Sequence, residues 1–292
     1  MPSKRMYSCT WRNKPRRRAA GKRYVKFLFL LPGLAGVSIF VLIPFADVVK
    51  RSFYTALSGE FVGLKNYMSV MQNTAFRLAV SNTVRFASIC MPILLAAGLI
   101  LAVIINQHGK WERFKFLYLL PMAMPAATVV LVWKMLFIKQ GFVNSWLGSH
   151  IDFMGEDNAF YILVGSYVWK NLGYTLILWL AGLKAIPEDM MEAARVDGAG
   201  KTAIFFRIVL PNLKGSAFTI TILSFLNSFK VFREAYLVSG SYPQEKIYLL
   251  QHVFHNWYTN LDFDKMAAGA VLTALVLGSV SILLQKLWDN AD

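Results

Sequence analysis

The sequence runs to 292 residues and is 56% apolar but only 16% charged, against about 45–50% and about 25% in ordinary globular domains. Several windows of about 20 residues are almost free of charge, which is the length that crosses a bilayer core, so the chain reads as an all-α polytopic membrane protein rather than a soluble one. The net charge of +15 is concentrated at the start of the chain, which argues against nucleic acid as a partner and for membrane topology.

Residues 1–26 hold ten Lys/Arg and no acid, directly ahead of the first apolar run. Basic residues are retained on the inside, so 1–24 reads as a cytoplasmic tail; the same charge suits anionic lipid headgroups. The run 25–49 is longer than the apolar part of a signal peptide and no small-x-small site follows it, so it is expected to stay as a helix. The triplet Arg16-Arg17-Arg18 is followed by Ala-Ala-Gly, which does not continue as a twin-arginine signal.

Further apolar runs fall at 77–105, 114–137, 160–183, 214–239 and 266–287. Six spans put both termini, including a short tail at 289–292, in the cytoplasm. The connections 106–113 and 184–213 then face inward, and 50–76, 138–159 and 240–265 face outward. No period-two alternation extends along the chain, which excludes a membrane β-barrel. Pro32, Pro44, Pro121 and Pro125 interrupt spans and read as kinks that help packing. In the last outward connection Ile247, Leu250, Phe254 and Trp257 recur at helical spacing. They predict an amphipathic helix lying at the lipid interface.

Catalytic and metal chemistry find no support. Cys9 and Cys90 lie in different environments, and His252 and His255 stand without a third ligand of suitable spacing. No set of nucleophile, base and metal ligands is present.

The inward connection 184–213 carries "EAARVDGAGKTAIFFRIVLP". Its GAGKT has the end of a phosphate-binding loop, but Arg195 stands where that loop needs its first glycine, and a membrane span rather than a buried strand precedes it. The stretch reads instead as helix, turn, helix. Pro187 opens the first helix, Glu188 and Asp189 suit the positive end of its dipole, and Gly198 supplies a left-handed stop. The second helix, from Lys201, is expected to end before Pro211 and to bury Ile204, Phe205, Ile208 and Val209.

These residues resemble the signature E-A-A-x-x-x-G-x(9)-I-x-L-P of the integral membrane subunits of bacterial ABC importers, at Glu192, Ala193, Ala194, Gly198, Ile208, Leu210 and Pro211. Asp197 and Ala199 agree with the form found in the carbohydrate branch. The stretches "LLPGLAGVSIFVLIPF", "FVGLKNY", "SNTVRF", "LLPMAMP", "WKNLGYTLILWLAGLKAIPEDMMEAARVDGA" and "LDFDKMAAGA" are similar to carbohydrate permeases over nearly the whole chain. The resemblance implies a six-helix permease domain over 25–288 in a bacterial cytoplasmic membrane, with 184–213 as its coupling loop. It implies that Glu192, Ala193, Ala194, Asp197, Gly198 and Ala199 dock a separate ATPase. The implied assembly holds a second homologous permease, two ABC ATPase subunits and an extracytoplasmic solute-binding protein. The chain would then bind no cofactor of its own, because ATP belongs to the partner. "LVSGSYP" stands where many relatives carry a Gly-Gly-Pro turn, so no particular sugar carries over.

Ionisable residues inside spans mark pathways or paired sites. Arg85 and Lys134 lie near outward ends, where they can reach the interface. Lys170 lies near mid-depth, and Lys230 and Glu234 are spaced to pair along a helix, with Lys170 as the other partner open to Glu234. Sugar sites combine hydrogen-bonding groups with aromatic faces, so Trp169, Lys170, Asn171, Tyr174, Asn227, Ser228 and Lys230, with Phe232 beside them, are the candidate pathway residues. The competing reading is an ion-gradient-driven secondary carrier. It calls for mirrored halves and membrane carboxylates, of which only Glu234 lies clearly within a span.

Overall fold

The computed structural model describes residues 30–107, 115–155 and 158–289; the basic tail falls outside them. Among the described residues the chain is helical throughout, with one isolated bridge, Tyr54 to Phe61, and no strand. We number the helices α1 (Leu30–Arg51), α2 (Lys65–Gln72), α3 (Thr74–Gln107), α4 (Lys115–Ala123), α5 (Ala126–Phe137), α6 (Phe142–Leu147), α7 (Ala159–Lys184), α8 (Glu188–Val196), α9 (Lys201–Ile204), α10 (Lys214–Ser228), α11 (Phe232–Ser239), α12 (Leu250–Thr259) and α13 (Phe263–Asp289).

Five stretches are long and apolar enough to cross a membrane: Leu30–Arg51, Thr74–Gln107, Ala126–Leu147, Lys214–Ser239 and Phe263–Trp288. The expected fourth span, α7, has 26 residues, about 39 Å at 1.5 Å per residue, but is less apolar around Lys170-Asn171. It is also the helix against which α3, α4 and α10 pack. Phe160, Leu163, Tyr167, Leu176 and Trp179 are buried along its length. Small residues let backbones close on it. A Cβ on Gly173 would sit 2.8 Å from the carbonyl carbon of Tyr118 in α4 and closer still to its oxygen.

Two apolar cores flank the middle of α7. One joins Phe86, Cys90 and Leu94 of α3 to Phe160, Leu163 and Tyr167, with Val231, Ala235 and Ile247. The other joins Ala102 and Ile105 to Leu176, Trp179 and Leu183, and takes in Ile186, Ile204, Val209, Leu213 and Ile220. A third core sits under α2, α12 and α13, where the end of α1 docks through Val48 and Val49. The rest of α1 is bare of intrachain cover, with Phe40 80% exposed, as befits a helix whose surroundings are lipid or another subunit.

Three expectations are corrected. The third apolar run is not one helix: Met124-Pro125 separates α4 from α5, because Pro125 has an extended ψ of 145° and no N–H to continue the ladder. The helix after Lys201 does not stop before Pro211. It widens into a π turn at Phe205–Val209, where Leu210 N–H bonds back to Phe205 O, and runs on through Leu210–Asn212. The wider turn moves the carbonyl that the proline ring would strike. Pro44 is accommodated in the same way, two residues beyond a π turn at Ser38–Leu42. Last, the apolar face of α12 packs on its own chain: Ile247, Leu250 and Trp257 are buried, and Phe254 is half-buried against them.

That packing sets the state of His252, which is fully buried. Its Nδ1 accepts a hydrogen bond from Leu249 N–H at 3.0 Å, and the ring meets Phe232 edge-on at 4.8 Å. Burial pushes its pKa down to about 4, with nearby His255 adding to the fall.

Candidate functional site

Two places gather the predicted residues. The first is the turn after α8. Asp197 N–H bonds to Ala193 O, Gly198 N–H to Arg195 O and Ala199 N–H to Ala194 O, the paired bonds of a Schellman motif. Gly198 takes φ +83°, a region open to glycine and costly for side chains, so the left-handed stop read from the sequence is present. The motif sorts the six predicted residues. Glu192, Ala193, Asp197 and Gly198 are exposed, whereas Ala194 and Ala199 are half-buried and pack on the inner core. Val196, unnoticed in the sequence, is 87% exposed beside them. An apolar residue ending an acidic, exposed helix was the available signal. Upstream of Gly200-Lys201-Thr202 lies this helix and turn rather than a strand, so the phosphate-loop geometry is absent there.

The second place is a cleft of about 310 Å³ near the middle of α7, where two helix breaks meet. One wall is the break between α4 and α5, with Met122, Met124, Pro125 and Ala126. The other is the 3₁₀ turn Phe229–Val231 that separates α10 from α11. Ser166, Tyr167, Lys170 and Asn171 of α7 form the floor, and Asn227, Lys230, Arg233 and Glu234 project from the broken helix. The first turn of α5 opens on this cleft with no side-chain cap at Pro125.

Charges here are arranged across helices. Lys170 Nζ meets Glu234 Oε1 at 2.5 Å, with the two side chains 20% and 9% exposed. Lys230 Nζ donates instead to Asn227 Oδ1 at 2.9 Å. A continuous α-helix would stack Lys230 over Glu234. The 3₁₀ turn Phe229–Val231 overwinds the helix at Lys230, so that register is lost and Glu234 pairs across to α7 instead. Asn171 Nδ2 donates to Tyr167 O at 2.8 Å, which leaves its Oδ1 facing outward as an acceptor.

Of the predicted pathway residues, Lys170, Asn171, Asn227 and Lys230 come together in the cleft. Trp169 lies on another face, edge-on to Trp133 at 6.0 Å. Tyr174 shares a 2.7 Å hydrogen bond with Ser224 Oγ, which ties α7 to α10, and Ser228, 1% exposed, donates to Phe225 O within α10. Phe232 belongs to the His252 ring cluster. Arg233 was not among the predicted residues, although its i, i+3 spacing from Lys230 was the available signal. Arg85 and Lys134 are held structurally, by the Phe160 ring at 4.7 Å and by Leu237 O at 3.4 Å.

Among the described residues, the five apolar stretches of membrane-spanning length define a polytopic membrane protein. Residues 94–291 match the family described as binding-protein-dependent transport system inner membrane component, and the chain belongs to that family. It is a multi-pass membrane protein of the permease class.

Relatives extend over the whole length. The chain is 28% identical over 302 residues to the sn-glycerol-3-phosphate transport system permease protein UgpA of Yersinia pestis, covering 97% of this chain and 95% of that one. It is 29% identical over 275 residues to the trehalose/maltose transport system permease protein MalF of Thermococcus litoralis, covering 89% and 92%. In fold it is similar to a chain from a bacterial ABC transporter involved in import of the acidic polysaccharide alginate, with TM-score 0.81, 20% identity and 92% and 96% of the two chains covered.

Proposed function

We propose that this chain forms half of the translocation pathway of an ATP-driven importer of sugars or oligosaccharides. The reading is carried by the turn at Gly198, an exposed acidic helix end held rigid by a Schellman motif and rooted in the inner core. Its shape suits insertion into a groove on a partner. Glu188, Asp189, Glu192 and Asp197 would meet basic groups there, and Ala193 and Val196 would fill it. The partner is a pair of ABC ATPases, which bind and hydrolyse ATP; this subunit is non-catalytic and holds no cofactor. A second homologous permease completes the pathway, and an extracytoplasmic solute-binding protein delivers the solute. One solved relative by fold is an alginate ABC transporter in complex with an alginate pentasaccharide-bound periplasmic protein, which supports that arrangement. The relatives named for trehalose and maltose support carbohydrate as the cargo.

In this reading α7 is a sixth span, the domain runs over 25–288 with its coupling loop at 184–213, and both termini face the cytoplasm. The ion-gradient alternative is weakened by Glu234, whose carboxylate is held by Lys170 rather than free to carry a coupling ion.

The test is uptake by the whole complex in lipid vesicles, with and without enclosed ATP. Uptake that persists without ATP and follows a proton or sodium gradient would sink the proposal. Gly198→Pro or Glu192→Lys is expected to release the ATPase from a permease that still folds. Undiminished co-purification and coupling would mean that the dock lies elsewhere.

A further inference from the structure

The cleft at the middle of α7 holds charge of one sign in excess. Lys170 is matched by Glu234 at 2.5 Å. Lys230 has only the neutral amide of Asn227 for a partner, at 2.9 Å. Arg233 lines the same cleft, is exposed, and makes no hydrogen bond or ion pair among the described residues. Three cations against one carboxylate leave two positive charges uncompensated in a concave site between apolar helices.

The backbone puts those two charges side by side. They are three residues apart where the 3₁₀ turn Phe229–Val231 passes into α11, and residues i and i+3 are neighbours on a helix surface. A cationic pair at membrane depth is costly unless it meets an anion. A cleft with low-dielectric walls also strengthens the attraction it exerts on one. The guanidinium of Arg233 can take a carboxylate or phosphate through two parallel N–H bonds, and Lys230 adds a point charge beside it. Asn171 Oδ1 and the Ser166 hydroxyl then remain for uncharged hydroxyl groups of the solute.

We propose that the solute is an anionic carbohydrate, whose carboxylate or phosphate is met by Arg233 and Lys230. This rests on the reading of the cleft as part of the solute path.

The complex of this chain with its partner subunits, in lipid nanodiscs and without the solute-binding protein, tests it by equilibrium binding of three probes. These are a uronate trisaccharide, its carboxyl-reduced neutral counterpart and a hexose phosphate. At least one anion is expected to bind about tenfold or more tightly than the neutral sugar, the worth of one charge-assisted hydrogen bond. Comparison of the two anions identifies which acid is read. Arg233→Gln and Lys230→Gln are expected to abolish that preference, in complexes that still co-purify and hydrolyse ATP. Equal or better binding of the neutral sugar, or a preference that survives both substitutions, overturns the proposal and leaves the pathway reading standing. Binding of none of the three by the unaltered complex overturns both.

Discussion

Gly173 is the tightest point of the α4–α7 contact, and Gly173→Ala tests whether that contact shapes the cleft. The added Cβ would lie 2.8 Å from the Tyr118 carbonyl carbon and 3.1 Å from Leu119 Cα, where ordinary contact begins at 3.4 Å. The obstructing atoms are backbone, so no rotamer change relieves them; α4 must retreat by at least about 0.6 Å. Overpacking of this kind costs about 1–3 kcal/mol. Gly165→Ala in the same helix is the control, because nothing lies within 4 Å of its Cβ, and there the substitution favours the helix by up to about 1 kcal/mol. Thermal unfolding of the detergent-purified complex is expected to show a midpoint lowered by several degrees for Gly173→Ala and unchanged or raised for Gly165→Ala. Since α4 contributes Met122 and α7 contributes Lys170 to the cleft, solute binding is expected to weaken only in the first. Equal midpoints for the two variants would refute the close-packing argument.

Glu234→Gln leaves the Lys170 ammonium without its counter-charge, at a cost of about 2–4 kcal/mol, toward the low end because Lys170 keeps some exposure. A double variant, Lys170→Met with Glu234→Met, should recover most of that in the same melting assay. Gly198→Ala forces a side chain onto φ +83° and should cost about 1–2 kcal/mol, read as loss of ATPase coupling. Val196→Asp, at an 87% exposed position, should stay within about 0.5 kcal/mol in stability yet lose the ATPase on co-purification. For His252, the folded pKa of about 4 lies below the ordinary 6.5, so the unfolded chain takes up its proton first as pH falls. Stability is therefore full above about 6.5 and declines toward pH 4, by about 3 kcal/mol in all. His252→Gln should flatten that slope; an unchanged slope would locate the titrating group elsewhere.

The turn at Gly198 was legible because each requirement there is local: a proline ahead of the helix, acids in its first turn, a glycine where φ turns positive. The extents of α3 and α13, and the joint extent of α10 and α11, were legible because the bilayer fixes how many apolar residues a span needs. The cleft was only half legible. Depth along a helix can be counted from the sequence, which gave Lys170, Asn171, Asn227 and Lys230. Azimuth cannot be, once the helix changes type. The 3₁₀ turn at Phe229–Val231 and the π turn at Phe205–Val209 are one-bond shifts of the ladder that leave no trace in composition. The 3₁₀ turn sent Glu234 to Lys170 rather than Lys230. Trp169, Tyr174 and Ser228 have the right chemistry at the right depth, but point at Trp133, Ser224 and Phe225.

From Lys201 the chain runs through the π turn, a turn residue at Leu213 and α10 to Ser228, with Leu213 and Ala217 carrying hydrogen bonds across the junction. Laid end to end, those 28 residues would span about 42 Å at 1.5 Å per residue. One end is seated beside Gly198 and the other gives way at the 3₁₀ turn bearing Lys230. In the proposed reading, a push on the turn would travel along this path and reach the spacing between Lys230, Arg233 and the floor of α7 through the joints at Leu213 and the 3₁₀ turn.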